Sequence, residues 1–382
     1  MSDKINFGII GCGWIGDLKH LPNYSKHPDT KIAALCDVDE KKMEQSIKKF
    51  NLDSVKTYTD YREMVQDPNL DAVVVATPNK LHCEMTVAAF QAGKHVLCEK
   101  PMATSAADAR KMIDASRKAG KKLSVGFQWR FRPECLYIKD LCDSGALGEI
   151  YYAKAHGLRR RGVPTWGSYM DPDLNGGGVL WDGAPHSLDF TLWAMNNYEP
   201  HSVKANIYRK MWDQPVGNPW GEWDPAKFNV EDTGFALITM KNGATIYLEA
   251  AWIINVAEGS DMKTTLCGTK AGVDMFDEGG VRINLVQNGK MAITKPEVKP
   301  GWMPGPPPPM PWDWEAKHWV DCLKNNTEPF VKAEEAFVVT QIIEAVYESA
   351  RTGHTVYLSE ERKERPAATA TRPERELAGA RK

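Results

Sequence analysis

The chain has 382 residues, with 48 basic and 50 acidic side chains and a formal net charge of −2. This length predicts two domains, and the mixed, nearly balanced charge excludes the electrostatic patterns of nucleic-acid-binding and membrane-surface proteins. We expect no signal peptide and no transmembrane segment, because an apolar strand follows Met1–Lys4 directly and no apolar run could cross a bilayer. The eight cysteines show neither a C-x-x-C pair nor zinc-ligand spacing with histidine, so we expect reduced cysteines, no metal and a cytoplasmic location.

Residues 1–127 alternate short apolar runs with longer segments of helical periodicity, such as Lys80–Ala92 and Ala106–Ala119. Alternation of strand and helix predicts an α/β domain with a doubly wound parallel sheet of the Rossmann type. The apolar runs predicted as strands are Ile5–Ile10, Ile32–Cys36, Asp71–Ala76, His95–Cys98 and Leu123–Phe127.

Hairpin signals dominate the later part of the chain, where we place an α+β domain over residues 128–358. Asn242-Gly243 and Asn288-Gly289 each separate two strand-like runs, and Asn-Gly is the strongest short hairpin signal. Hairpins in series predict a large, mostly antiparallel open sheet. We predict helices over Phe131–Asp143, Leu180–Met195 and Glu334–Ala350, and strands over Glu149–Ala155, Thr233–Met240, Ala244–Ile253, Val281–Val286 and Met291–Thr294.

Two segments carry no periodic pattern. Pro304–Pro311 contains six prolines, which is typical of a stiff extended connector and also of an arm that reaches a neighbouring subunit or covers a substrate cleft. Residues 359–382 form a charged tail that we predict to be disordered. Twelve of the twenty-three residues in Glu360–Lys382 are charged and none is aromatic, so the tail cannot bury enough apolar surface to order itself.

A glycine-rich turn, Gly11-Cys12-Gly13-Trp14-Ile15-Gly16, follows the first predicted strand and precedes a helix. This context is typical of a dinucleotide-binding turn. Gly11 permits the tight turn, Gly13 lets the backbone approach the pyrophosphate, and Gly16 allows the helix and strand to pack closely. Trp14 and Ile15 then lie beside the cofactor at the N-terminus of the helix.

Polar residues follow two further strands of the predicted parallel sheet. Asp37 comes twenty-one residues after Gly16, where a carboxylate binds a ribose hydroxyl and repels a 2′-phosphate, so we predict NAD as the cofactor rather than NADP. Thr77 and Asn79 follow the third predicted strand and would present polar groups to the cofactor. His82, in the first turn of the next helix, is a candidate cofactor contact, and a purely structural role is equally compatible with its position.

Lys100 is the most informative candidate. It lies in Glu99-Lys100-Pro101, at the end of a later strand of the same predicted sheet. Ligands of open α/β sheets bind outside the carboxyl ends of the strands, so Glu99 and Lys100 should face the cofactor crevice. A cation beside a nicotinamide ring would polarise the hydroxyl or carbonyl oxygen that reacts.

Asp182 and His186 end a glycine-rich segment that begins with Gly176-Gly177-Gly178. If the chain is helical from Leu180, the two side chains stand four residues apart on one face. An aspartate can orient an imidazole and raise its basicity, although a buried structural pair would show the same spacing. The three glycines would let the backbone approach a ligand, such as the nicotinamide or a sugar.

Four motifs occur in a fixed order: Gly11–Gly16, Thr77-Pro78-Asn79, Glu99-Lys100-Pro101 and the glycine-rich segment that ends in Asp182 and His186. Together they resemble the glucose–fructose oxidoreductase and inositol dehydrogenase family, Gfo/Idh/MocA, over residues 5 to about 358. The resemblance implies a Rossmann domain followed by a large sheet that forms a dimer or tetramer interface. It implies Lys100, Asp182 and His186 as the catalytic group, with a cis peptide between Lys100 and Pro101. It also places Gln128 and Arg130 near the cofactor.

The resemblance further implies a variable substrate loop, which contains Arg159 and Trp166. The expected activity is NAD-dependent oxidation of a secondary hydroxyl on a sugar, polyol or glycoside, without a metal. His186 would take the hydroxyl proton, Asp182 would hold the imidazole, and Lys100 would donate to the reacting oxygen.

The sequence is also compatible with three alternatives to a dehydrogenase that releases its NAD after each turnover. One is an enzyme that retains NAD and exchanges a hydride between two sugars, and another cleaves a glycosidic bond through transient oxidation. The third is a catalytically silent NAD-binding regulator, which the presence of all three catalytic candidates disfavours. A carbohydrate and a second copy of the chain are the expected partners, and neither a nucleic acid nor a membrane is.

Overall fold

The computed structural model describes residues 4–257, 259–276, 280–298 and 310–358. The charged tail predicted for residues 359–382 lies outside this range, as does the segment Pro304–Pro311 except for its last two residues. In the described part of the chain, no helix is both long and apolar enough to span a membrane.

The first part of the chain forms a six-stranded parallel sheet in the order β3-β2-β1-β4-β5-β6. This is the doubly wound order expected of a Rossmann domain, so the predicted fold is confirmed. Strand β3 was not predicted, because it has only three residues and two of them are exposed, so it forms no apolar run. The strands are β1 (Ile5–Ile10), β2 (Thr30–Cys36), β3 (Lys56–Tyr58), β4 (Ala72–Val75), β5 (His95–Cys98) and β6 (Leu123–Val125).

Both faces of this sheet are buried. Ile10 contributes to one apolar cluster, while Phe7 and Ile9 of the same strand contribute to another. Helices cover the faces, namely α1 (Leu21–Lys26), α2 (Glu40–Phe50), α3 (Tyr61–Val65), α4 (His82–Gln91) and α5 (Ala106–Ala119). Three of them, α2, α3 and α5, start at an N-cap side chain that accepts a backbone N–H group, namely Asp39, Asp60 and Ser105.

The later part of the chain forms a nine-stranded sheet in the order β14-β13-β12-β11-β7-β10-β9-β8-β15. All neighbours are antiparallel except β7 and β10, so the predicted mostly antiparallel sheet is confirmed. The strands are β7 (Ile150–Leu158), β8 (Pro200–Tyr208), β9 (Thr233–Met240), β10 (Thr245–Ala251), β11 (Ser260–Gly268), β12 (Ala271–Phe276), β13 (Gly280–Gln287), β14 (Lys290–Thr294) and β15 (Val356–Tyr357).

One face of the second sheet packs against helices α9 and α11. The helix predicted over Leu180–Met195 is in fact two helices that meet at Gly183. Pro185 explains the interruption, because it has no N–H to donate and is tolerated only in the first turn of a helix. The helices are α6 (Pro133–Asp143), α7 (Pro172–Asn175), α8 (Val179–Asp182), α9 (Ala184–Met195), α10 (Pro311–Asn325) and α11 (Ala333–Thr352).

Helix α10 returns to the first sheet. Its Ala316, Trp319 and Val320 belong to the same apolar cluster as Phe7 in β1. A segment more than 180 residues after the end of β6 therefore completes the core of the cofactor half of the molecule.

Candidate active site

A cavity of about 830 Å³ opens at the carboxyl ends of the parallel strands. The structure brings fourteen of the sixteen predicted site residues to its wall, leaving out only His82 and Arg130. The fourteen are Gly11, Gly13, Trp14, Ile15, Asp37, Thr77, Asn79, Glu99, Lys100, Gln128, Arg159, Trp166, Asp182 and His186.

The glycine turn fits a bound dinucleotide. Gly11 has a φ of +99°, and a Cβ there would lie 2.4 Å from the carbonyl oxygen of Ala76. A Cβ on Gly16 would lie 2.2 Å from the carbonyl oxygen of Gly11, so both positions require glycine for close packing. A Cβ on Gly13 would meet nothing within 4 Å. The backbone at Gly13 therefore faces open space, where a pyrophosphate could approach.

Asp37 is held in place by two backbone N–H groups. Its Oδ2 accepts from Cys12 at 2.8 Å, and its Oδ1 accepts from Asp39 at 2.9 Å. A carboxylate has about four lone-pair sites, so capacity remains for ribose hydroxyls. Lys42 lies on the wall of the same cavity.

Lys100 is anchored to Asp182 by two hydrogen bonds. Its Nζ donates to the Asp182 carbonyl oxygen and to Oδ1, both at 3.0 Å. The other carboxylate oxygen accepts from Trp252 Nε1 at 2.9 Å and lies 3.9 Å from Nη1 of Arg159. Burial alone would raise the pKa of Asp182, but Lys100, Arg159 and the Trp252 hydrogen bond outweigh burial and lower it. Asp182 is therefore an anion that positions the lysine.

His186 lies in the first turn of α9, and only 8% of its surface is exposed. Its Nδ1 has no hydrogen-bond partner among the described residues. The Asp182 carboxylate, expected to hold this imidazole, instead contacts Lys100 and Trp252. Burial, and then the charge of Lys100, lower the pKa of His186 well below its ordinary value. The imidazole is therefore neutral and able to accept a proton.

Two of the glycines before α8 allow close packing within the protein. A Cβ on Gly177 would lie 2.0 Å from Tyr347 Oη, and one on Gly178 would lie 2.1 Å from the Glu231 carbonyl oxygen. The buried Glu231 carboxylate accepts from the backbone N–H of Gly178 and Leu180 and from Tyr347 Oη. These contacts fix the start of the helix that ends in Asp182.

Glu99 belongs to a buried network that the sequence did not indicate. It accepts from Lys19 Nζ at 2.7 Å and lies 2.8 Å from His20 Nε2, while Lys19 also pairs with Glu315 of α10. Burial would raise the pKa of Glu99, but Lys19 and His20 outweigh it and hold that pKa well below the ordinary value. Lys19 and His20 look like residues of a solvated helix, and Glu315 is almost 300 residues away, so no local pattern predicts this network.

His82 and Arg130 do not line the cavity, and both pack within the protein. His82 is fully buried, with Nδ1 at 2.8 Å from the carbonyl oxygen of Pro101 and Nε2 at 2.9 Å from that of Thr77. It thus holds the predicted cis peptide between Lys100 and Pro101, which is present, against the end of β4. Arg130 is also fully buried, because it pairs with Asp189 of α9 and with Glu335 of α11.

Comparison with family models agrees with this division of the molecule. Residues 5–127 match the model described as an oxidoreductase family with an NAD-binding Rossmann fold. Residues 139–358 match the model for the C-terminal alpha/beta domain of an oxidoreductase family. The two matches together cover most of the chain and meet at the cavity.

Two curated relatives are dehydrogenases of carbohydrate-like substrates. The D-glucoside 3-dehydrogenase of Escherichia coli K12 is 32% identical over 363 residues, which cover 94% of this chain and 98% of that protein. The inositol 2-dehydrogenase of Salmonella typhimurium is 30% identical over 192 residues, which cover 50% of this chain and 54% of that protein.

Solved structures share the fold over the whole chain length. The aldose–aldose oxidoreductase of Caulobacter crescentus, solved with glycerol, superposes with a TM-score of 0.76 and 27% identity, and the match covers 93% of this chain and 100% of that one. A levoglucosan dehydrogenase solved with NADH gives a TM-score of 0.80 over 94% of this chain and 100% of that one. Its identity is 22%, so this second likeness concerns the fold alone.

Proposed function

This chain belongs to the Gfo/Idh/MocA family of NAD-binding oxidoreductases, and we propose that it oxidises a secondary hydroxyl of a sugar, most closely of a glucoside. One observation carries the proposal. Lys100, Asp182 and the neutral His186 meet in the cavity that the dinucleotide-binding turn also lines. The glucoside dehydrogenase that matches over nearly its whole length supports the substrate class.

The residues of the turn and of the strand ends would hold the cofactor. Gly13 offers open backbone to the pyrophosphate, Asp37 offers carboxylate oxygens to the adenosine ribose, and Thr77, Asn79 and Gln128 line the wall beyond. When bound, NAD supplies an electron acceptor that takes a hydride from the substrate carbon.

Lys100 and His186 divide the work on the substrate oxygen. An ammonium group has three N–H donors, and Lys100 uses two on Asp182, so the third can donate to the reacting oxygen. His186, neutral and buried, accepts the hydroxyl proton as the carbonyl forms. Asp182 acts through Lys100, because it fixes the ammonium group and offsets its charge.

A turnover assay tests this proposal. The purified protein is incubated with NAD and a panel of methyl glycosides, polyols and free sugars, and NAD reduction is followed by absorbance. We expect turnover with at least one glucoside and a ketosugar as the product. Absence of NAD reduction across the panel would contradict the proposed substrate class.

A second candidate follows from the similarity to the aldose–aldose oxidoreductase. In that case the enzyme would keep its cofactor and couple the oxidation of one sugar to the reduction of another. Denaturation of the purified protein and measurement of the released NAD(H) separates the two candidates. A dehydrogenase needs added NAD for turnover, whereas the coupled enzyme carries about one equivalent of cofactor and needs none.

We further propose the division of the chain and its setting in the cell. Residues 1–127 would form the cofactor domain and residues 128–358 the substrate and assembly domain, with the second sheet as the interface of a homodimer or homotetramer. All eight cysteines lie in the described part of the chain and are unpaired, which supports the reducing environment of the cytoplasm.

A further inference from the structure

We propose that the outer half of the cavity is a subsite for a second sugar ring, so that the preferred substrate is a disaccharide or a longer glycoside. The subsite is an aromatic wall, which we define as Trp166, Tyr169 and Trp220. This inference rests on the proposed function, since it concerns the part of the substrate beyond the ring that is oxidised.

Two series of contacts connect the aromatic wall to the Asp182 carboxylate, and the first runs through Arg159. Arg159 lies 3.9 Å from the Asp182 carboxylate and stacks over Trp220, with 5.2 Å from the guanidinium carbon to the ring. The ring of Trp220 is 5.1 Å from that of Trp166.

The second series of contacts runs through Tyr169 and Trp252. The ring of Trp166 is 6.2 Å from that of Tyr169, which is 6.4 Å from the ring of Trp252. Trp252 Nε1 in turn donates to Asp182 at 2.9 Å. Both series of contacts link Asp182 to Trp166, so the wall adjoins the reaction site without being part of it.

The exposed fraction of the aromatic side chains increases from Trp252 to Trp220. Trp252 is fully buried, whereas Trp220 is 42% exposed and still lines the cavity. A ligand that packs on this exposed face would remove apolar surface from water, which favours binding. Trp220 therefore presents a face to whatever occupies the outer half of the cavity.

The chemistry of the wall fits a sugar ring. A pyranose has an apolar C–H face that packs on an indole, and equatorial hydroxyls that need hydrogen-bond partners at its edge. Arg159 lies at that edge, with its guanidinium directed between Trp220 and Asp182.

Charge argues for a neutral ring over an acidic one. The positive charge of Arg159 already faces the Asp182 carboxylate, so it is partly compensated before any substrate arrives. A sugar acid would compete with Asp182 for the same guanidinium, whereas a neutral hydroxyl only adds a hydrogen bond.

The test compares substrates that differ by one ring. Methyl β-glucoside and cellobiose share the first ring, and methyl α-glucoside and maltose form the corresponding α pair; the pair that the wild-type enzyme oxidises is used. The measured quantity is the ratio of kcat/KM for the disaccharide to that for the methyl glucoside. We expect this ratio to exceed one in the wild type and to fall about tenfold in Trp220→Ala, equivalent to ~1.4 kcal/mol.

Two variants complete the design. Trp220→Phe keeps an aromatic face and should retain most of the ratio. Tyr151→Ala removes another exposed aromatic residue, 55% exposed, that lies on β7 outside the cavity, and should leave the ratio unchanged. If Trp220→Ala loses NAD affinity and has therefore not folded correctly, Trp220→Leu is judged by the same criterion.

Failure of the subsite and failure of the proposed function give different results. No oxidation of any of the four sugars by the wild type would overturn the proposed function and the subsite with it. Oxidation of a methyl glucoside with a disaccharide ratio below one, or with a ratio that Trp220→Ala changes by less than twofold, would overturn the subsite alone.

Discussion

The carboxylate of Asp182 holds the lysine of the site and not its histidine. At 3.0 Å from Lys100 Nζ it keeps a negative charge beside the ammonium group, while the imidazole stays uncharged in a buried position. A proton donor and a proton acceptor thus coexist within one cavity without neutralising each other. Catalysis of this kind depends on environments that differ over a few ångströms.

Loss of either group should affect chemistry more than cofactor binding. For Lys100→Ala and His186→Ala we expect turnover to fall by about a hundredfold or more, the usual size of an acid–base or oxyanion-type effect. NAD affinity should stay within a few-fold, because the turn and Asp37 are untouched. Steady-state kinetics and NAD titration calorimetry measure both quantities. Near-normal turnover in either variant would show that its residue has no catalytic role.

The pH dependence follows from the depressed pKa of His186. Burial, and then Lys100, lower this pKa, and only the neutral imidazole accepts a proton. As pH falls, kcat/KM should therefore stay level through about 6.5, the ordinary value for histidine, and decline only below it. A pH–rate profile checks this, and an acid limb centred above 6.5 would be inconsistent with a buried neutral base.

Cofactor choice should depend on Asp37. Replacement by serine removes the carboxylate that would oppose a 2′-phosphate, with Lys42 left on the same cavity wall. We expect Asp37→Ser to lower the NAD-to-NADP ratio of kcat/KM by at least about tenfold, since like charges held together cost several kcal/mol. Asp39→Ser, which changes a neighbouring helix cap outside the cavity, is the control. An unchanged ratio, or a wild type that prefers NADP, would refute the assignment.

Site residues could be predicted from the sequence where their position after a strand determines which way the side chain faces. Lys100 and Asp37 follow parallel strands, so the fold places them at the crevice whatever their neighbours are. The burial of Arg130 was not predicted, because it depends on Asp189 and Glu335, 59 and 205 residues away. Ion pairs over such separations leave no periodic signal in one sequence.

Among the secondary-structure elements, the short helix α8 controls the placement of Asp182. Its first turn has no side-chain cap of its own, and the buried Glu231 supplies the acceptors for its N–H groups. The site therefore depends on a carboxylate that touches neither cofactor nor substrate.

Glu231→Gln should loosen this helix start. One acceptor oxygen becomes an amide donor facing backbone N–H groups, and an unsatisfied buried group costs about 1–3 kcal/mol. We expect a lower unfolding midpoint and a reduced kcat with KM for NAD little changed. Tyr347→Phe, which removes a single hydroxyl donor to the same carboxylate, should show a smaller loss of both. Equal effects of the two variants would argue against the backbone contacts as the cause.

Pairing of strands shows how far local signals reach. Asn242-Gly243 predicted the β9–β10 hairpin, because the turn and both strands are contiguous. The parallel pairing of β7 with β10 joins segments separated by about ninety residues, and no turn sequence between them predicts it. The break at Gly183 was missed because Pro185 was placed inside one helix and not at the start of a second.

On the scale of the molecule, α10 connects the two halves. It follows the proline-rich segment, yet it packs beneath the first sheet and supplies Glu315 to the network behind Glu99. This helix was not predicted from the sequence, and an amphipathic pattern such as its own fits any apolar surface, so no local signal assigns it to the cofactor half. Order along the chain and position in space therefore differ at α10.

The outward face of the second sheet carries exposed apolar side chains among its charged and polar ones. Leu237 of β9, 49% exposed, lies directly opposite Tyr247 of β10, and Tyr208 of the neighbouring β8 is also exposed. Helices α9 and α11 cover the other face. Exposed apolar side chains on the face of a sheet can mark an interface between subunits, and a second copy of the chain is the occupant that we propose.

Leu237→Glu should therefore split the assembly. A carboxylate at the centre of a sheet-to-sheet contact would be buried opposite its own copy, which is strongly unfavourable. We expect light scattering to give a dimer or tetramer for the wild type, for a chain ending at Leu358 and for the control Val216→Glu, whose residue is 72% exposed in a loop. Leu237→Glu alone should give a smaller mass. A monomeric wild type would contradict the sheet interface, and loss of assembly only in the shortened chain would assign the contact to residues 359–382 instead.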